Sequence, residues 1–172
     1  PNPLPAKPGR GDKADTSASW RTLTVPGTWE SQHKNFASVD GFAWYRCEVK
    51  LPESWKGRGG YLYVEKVDNA AECFINGVKI GISGAMPPKY ANGVENMHRY
   101  VIPGSAWKPG EVNVVAIRVY DAEGAGGFKG GAPQIIAGNE AISLEGAWQF
   151  RVGDDLKWAY VGESLRDSLP VA

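Results

Sequence analysis

DGFAWYRCEVKL, residues 40–51, opens on a polar turn with one carboxylate and runs straight into an aromatic-rich segment of alternating character. Ala43, Tyr45, Cys47, Val49 and Leu51 fall on one side of a period-two template, and Arg46, Glu48 and Lys50 fall on the other. That pattern is a β-strand with one buried and one wet face. Trp44 sits on the polar side and predicts local shelter there. Asp40 stands at the strand's mouth.

Outward from this stretch, further short strands are predicted at 20–25, 61–67, 72–81, 99–102 and 112–121, with two more around Gly146. Asn76-Gly77 lies between apolar flanks in CFINGVKIG and supplies both positive-φ positions of a type I′ hairpin turn. Residues 83–98 read as a long irregular segment. Residues 122–131, AEGAGGFKGG, read as a flexible loop too Gly-rich to hold a strand.

The chain has 172 residues, with 22 Gly, 12 Pro, 7 Trp and 7 Tyr. That composition suits many short strands and tight turns and disfavours long helices. Eight or so strands predict one all-β domain, an antiparallel β-sandwich of jelly-roll type, over residues 19–153. Residues 1–18, without periodicity, read as a flexible linker, and 154–172 as a C-terminal extension or linker with a helical turn near 163–168. The chain begins on Pro rather than Met and is expected to be part of a longer protein.

The 19 basic and 19 acidic residues cancel, which gives no reason to expect a nucleic-acid or anionic-membrane partner. No run approaches the ~20 apolar residues of a membrane span, and the N-terminal stretch lacks a signal peptide's apolar region. Cys47 and Cys73 both fall at core-facing positions and read as buried free thiols.

The motifs VPGTWE (25–30), DGFAWYRCEVKLPESWKG (40–57), AECFINGVKIG (71–81), YVIP (100–103) and GEVNVVAIRVYD (110–121) follow one another in order. This series resembles the sugar-binding, galactose-binding-like jelly-roll domain of glycoside hydrolase family 2. In those hydrolases a strand of pattern L-x-G-x-W-x-F precedes the VPG-x-W segment. Here its counterpart, Leu144 to Phe150, comes last, as in the module inserted in bacterial sialate O-acetylesterases. The series is also similar to accessory modules of large bacterial proteins with sorbosone-dehydrogenase-like and c-type haem domains, although no CxxCH occurs.

The resemblance implies a non-catalytic carbohydrate-binding module of a larger extracytoplasmic protein, which is a glycoside hydrolase, a carbohydrate esterase or a dehydrogenase. The alternative is a structural domain that packs on a neighbouring catalytic or haem domain and binds no sugar. A sugar site needs an aromatic face for the ring and planar polar groups for the hydroxyls. Asp40 and Asp121 are the expected carboxylates, Lys129 a donor, and Trp29 and Phe128 the aromatics expected to be exposed. Trp20, Trp44 and Trp148 are expected in the core.

No catalytic motif is present: there is no GxSxG, and the Gly-rich loop lacks the K-[ST] and helix of a phosphate site. Glu30 and Asp40 are the one carboxylate pair that suggests acid/base work. His33 and His98 lack a partner at metal-ligand spacing, so no metal or other cofactor is expected. Structural calcium stays open, because related sandwiches hold it but no Asp-rich loop is visible.

Overall fold

The computed structural model describes residues 19–93 and 97–160. The expected linker 1–18 and the turn expected at 163–168 lie outside the described residues.

Strand β3 (Gly41–Lys50), the quoted stretch, is the spine of a six-stranded sheet. It pairs along its whole length with β8 (Val112–Asp121), with Gly41 opposite Asp121 and Lys50 opposite Val112. On the other side of β3 lies β12 (Gly146–Val152), followed by β1 (Arg21–Val25). Thus the LxGxWxF strand, last in sequence, is seated between the first strand and the spine.

Beyond β8 come β5 (Ala70–Ile75) and β6 (Val78–Ser83), joined by the predicted hairpin. Asn76 and Gly77 both take positive φ, 47° and 82°. The second sheet has four strands in the order β11 (Glu140–Ser143), β10 (Gln134–Ala137), β4 (Gly60–Val64), β7 (His98–Ile102). All named strand pairs are antiparallel. The molecule is the all-β sandwich that the alternation predicted.

The core lies between the sheets. Tyr45, Cys73, Ile75, Val115, Ile117 and Phe150 of the large sheet face Leu62, Val64, Ile102 and Ile135 of the small one. Cys47 and Cys73 are free, and burial pushes both thiols up. Trp44 and Trp148 are buried as expected, whereas Trp20 is half-buried with the Arg46 guanidinium 3.5 Å above its ring.

Trp44 finds its shelter on the outer face of the large sheet. A second small cluster forms there from Trp44, Phe74, Ala116 and Ala159, with Trp158 packed against it. The last two come from the 3-10 turn Leu156–Ala159. Asp154 ties this segment down by accepting from Trp44 Nε1 at 3.4 Å and from the Arg118 guanidinium. The extension expected from residue 154 therefore begins as a docked segment of the sandwich.

At the opposite end from Asp40, Asn113 is fully buried and makes four hydrogen bonds. Its Nδ2 donates to Lys108 O and Glu111 O, and its Oδ1 accepts from Lys108 N and Asn76 Nδ2. Orphaning buried backbone groups costs ~1–3 kcal/mol. Asn113→Ala is expected to lower the unfolding free energy by ~2 kcal/mol, measured by urea titration.

Candidate functional site

The register of the large sheet decides where the predicted residues meet. Because Gly41 lies opposite Asp121, the mouth of β3 and the end of β8 share one end of the sandwich. Ala70, opposite Tyr120, brings the segment before β5 to the same place. The Gly-rich stretch folds back across this end.

That stretch is not a loose loop. Gly127–Phe128 forms β9, which pairs with β2 (Gly27–Thr28). Gly127 O accepts from Asp68 N at 2.9 Å, and Gly126 O accepts from Trp29 N at 3.0 Å. Its glycines are needed for close approach. A Cβ on Gly126 would lie 2.0 Å from the Trp29 ring, and one on Gly127, where φ is +109°, would lie 2.7 Å from the Tyr45 hydroxyl. Only a chain without side chains passes this near to aromatic groups.

The same geometry corrects the expected exposure of Trp29 and Phe128. Trp29 starts the short helix α1 (Trp29–Gln32), is 0% exposed, and donates its Nε1 to Val39 O at 3.0 Å. Phe128 is 2% exposed and meets Tyr45 edge-on at 5.0 Å. Both belong to the floor beneath the site. Two large rings cost less as core than as surface, because burying each aromatic removes a large apolar area from water.

On this floor four carboxyl side chains gather. Asp121 is 0% exposed and Asp68 is 1% exposed. Asp121 Oδ1 accepts from Glu123 N, and Asp68 Oδ1 accepts from Lys129 Nζ at 2.7 Å. Asp68 Oδ2 and Asp121 Oδ2 find no protein donor. The two side chains lie in hydrogen-bond contact, which favours the protonated form of Asp121.

The Asp121 carboxyl is accordingly pushed up to about 7, by burial first, then by the hydrogen bond and charge of Asp68, then by Asp40 and Glu30. Glu30 is raised as well. Burial is the main cause; the Gly126 amide and its own amide oppose it, and the charges of Asp68 and Asp40 add to it. Glu30 Oε1 accepts from Gly126 N at 2.9 Å, while Glu30 Oε2 and the Tyr45 hydroxyl are buried without a partner.

Asp40 is exposed at the lip, and the pairing of Gly41 with Asp121 and the ion pair of Lys129 with Asp68 place Asp40, Asp121 and Lys129 at the same end of the sandwich. Sequence reasoning missed Asp68 and Tyr90. Tyr90 comes from the irregular segment before β7 and is 39% exposed, with its ring 5.5 Å from that of Tyr120. Its phenol is raised by partial burial and then by Asp68, Tyr120, Glu123 and Asp121, and its ring contact with Tyr120, the residue before Asp121, places it at this end of the sandwich. Asn69, at φ 39°, holds the joint by accepting from Ala122 N and, through its carbonyl, from Gly93 N. The signal available in sequence was the Asp-Asn pair, since Asn tolerates this left-handed conformation.

Chemically the arrangement offers carboxylate acceptors, a carboxyl at Asp121 biased towards its protonated form, one ammonium and one exposed ring, Tyr90, backed by half-buried Tyr120. Two carboxyls in hydrogen-bond contact are closer than the ~5–5.5 Å at which an acid and a nucleophile flank a glycosidic bond. Among the described residues no group of three His, Cys, Asp or Glu is arranged to hold a metal. His33 caps the turn at Asn35, and His98 stacks on Tyr100.

No protein-family model matches the chain. It is 27% identical to a β-glucuronidase of Formosa agariphila over 62% of this chain and 11% of that protein. Among solved structures, a glycosyl hydrolase family 2 member from Bacteroides cellulosilyticus matches with a TM-score of 0.52 and 16% identity, over 83% of this chain and 19% of that one. A β-glucuronidase from Ruminococcus gnavus matches with a TM-score of 0.48 and 17% identity, over 76% of this chain and 23% of that one. The chain thus spans about a tenth of the curated relative's length. It is similar to a limited portion of a glycoside hydrolase, and its fold is that of part of a family 2 enzyme.

Proposed function

We propose that this chain is a non-catalytic carbohydrate-binding module of a larger extracytoplasmic protein, with a glycoside hydrolase as the parent that the comparisons favour. The carrying observation is the convergence at one end of the sandwich of Asp40, Asp68, Asp121 and Glu30 beside the exposed ring of Tyr90. Sugar hydroxyls donate to carboxylates, and the C–H face of a pyranose packs on an aromatic ring. The exposed carboxylates of Asp40 and Glu123 and the exposed ring of Tyr90 answer both needs.

Monosaccharide-sized contacts of this kind give dissociation constants on the order of 0.1–1 mM. Calorimetric titration of the 172-residue chain with a saccharide panel tests the reading. Tyr90→Ala is expected to weaken binding about tenfold, an aromatic contact being worth ~1–1.5 kcal/mol, and to leave the thermal midpoint unchanged. Equal binding by this variant would remove Tyr90 from the site.

A second reading, a domain that packs on a neighbour and binds no sugar, draws on the outer face of the small sheet. There Tyr61 lies opposite Val101 and Ile136, and Tyr61, Val101 and nearby Met97 are 41%, 61% and 66% exposed. Exposed apolar clusters of this kind mark contact surfaces. Val101→Glu separates the readings, since it leaves sugar binding intact and disrupts only a packed neighbour.

A further inference from the structure

We infer that the ligand of this end of the sandwich is a stretch of a single soluble glycan chain, longer than one sugar residue, laid on a strip of three aromatic rings, Tyr90, Tyr120 and Phe42. The inference rests on the carbohydrate-binding reading and names the ligand class of that same site.

The strip is continuous. The ring centroids of Tyr90 and Tyr120 lie 5.5 Å apart, and those of Tyr120 and Phe42 lie 4.9 Å apart. Phe42 and Tyr120 are register partners at the ends of β3 and β8, so this step of the strip runs across the sheet. Strand alternation puts both on the outer face, the face of Trp44 and Arg118, and not between the sheets. Exposed Asp40 comes just before this end of β3, so the strip adjoins the carboxyl end.

These rings are left partly open to water. Trp44, the next outward-facing residue of β3, is 0% exposed in a cluster with Ala159 and Trp158. By contrast Tyr90 is 39% exposed, and Tyr120 and Phe42 are half-buried. A run of open aromatic surface marks a contact site. A pyranose is about as large as one phenol ring, so one sugar covers one ring and three in line call for a chain.

The strip is also preformed. Ala85 and Ala91 exchange both backbone hydrogen bonds, at 2.8 and 3.1 Å, and Gly93 N donates to Asn69 O at 2.6 Å, which closes the loop that presents Tyr90. At the other end the Arg118 guanidinium lies 4.6 Å from the Phe42 ring centroid and is itself held by Glu72 and Asp154. Rings fixed before binding cost little ordering entropy. Successive ring planes are tilted by 59° and 57°. A crystalline polysaccharide surface is flat and needs coplanar rings, whereas a tilted strip suits a free chain that turns from one residue to the next.

The test titrates the 172-residue chain, followed by NMR, with cello-, manno-, xylo- and malto-oligosaccharides, each from monosaccharide to tetrasaccharide. In the series that binds, the trisaccharide is expected to bind about tenfold tighter than the monosaccharide, with the Phe42 and Tyr120 amides shifting most for the longer sugars. Phe42→Leu and, separately, Tyr120→Leu keep an apolar side chain on the outer face and are expected to bring that ratio down to about twofold. Sedimentation with microcrystalline cellulose is expected to retain no protein. Equal affinity at all lengths, an unchanged ratio in folded Leu variants, unmoved Phe42 and Tyr120 amides, or retention on the crystalline polymer overturns the chain inference and leaves the carbohydrate reading standing. No saturable shift with any sugar overturns both.

Discussion

Replacing Trp29 with alanine is expected to lower the unfolding free energy by ~3–5 kcal/mol, the range for truncating a fully buried aromatic. The ring packs against Phe150 at 5.4 Å and Tyr45 at 6.4 Å, and its indole N–H is bonded to Val39 O. It is also the surface over which Gly126 passes. Loss of the ring opens a cavity under the carboxyl cluster and removes the support of β9. Urea unfolding measures the effect, with a lower midpoint at an unchanged slope. If Trp29 were a surface platform for sugar, the variant would keep its stability and lose only binding.

Asp121→Asn is expected to raise stability by about 2 kcal/mol at pH 8 and to change it little at pH 4. Asp121 titrates near 3.8 when unfolded and at about 7 when folded. The folded state therefore holds this proton more tightly than the unfolded chain. Its contribution is most favourable below pH ~4, declines as pH rises towards ~7, and is constant above that. At ~1.4 kcal/mol per pH unit the decline is about 4 kcal/mol at most, divided between the paired carboxyls.

An asparagine amide donates to Asp68 without a titrating proton and removes the slope. The comparison must be made against the parent chain, because other carboxylates slope the opposite way. Glu72 is raised by burial but pulled lower overall by hydrogen bonds from Arg118 and Lys79, so it loses stability on acidification. Thermal midpoints of both proteins across pH 4–8 should diverge as pH rises; parallel curves would show that folding does not raise the Asp121 carboxyl.

Local signals carried most of the fold. The two-residue alternation of β3 and the Asn76-Gly77 turn are properties of a few adjacent residues, and both appear as written. Trp44 announced its own anomaly, although nothing nearby could say that Trp158 and Ala159 would cover it. In the Gly-rich stretch, composition alone cannot distinguish a chain that needs freedom from one that needs to pass close to a ring. Here closeness wins, and the distinction lies in Trp29 and Tyr45, far away in sequence.

The site was half legible for the same reason. Asp40 and Asp121 flank strands whose pairing follows from their lengths, so their meeting could be anticipated. Asp68 and Tyr90 lie in irregular segments, and they reach the cluster through the Asn69 contacts with Ala122 and Gly93. Trp29 and Phe128 looked exposed because they sit beside turn residues. Burial is decided by the opposite sheet, which a local reading does not contain.

Backbone amide shifts of the 172-residue chain, recorded during titration with a saccharide that binds, locate the contact directly. Saturable changes are expected at Asp40 to Gly41, Asp68 to Asn69, Tyr90 and Tyr120 to Lys129, with Tyr61 and Val101 unmoved. Changes confined to the outer face of the small sheet, or no saturable change with any saccharide, would contradict carbohydrate binding at the carboxyl end.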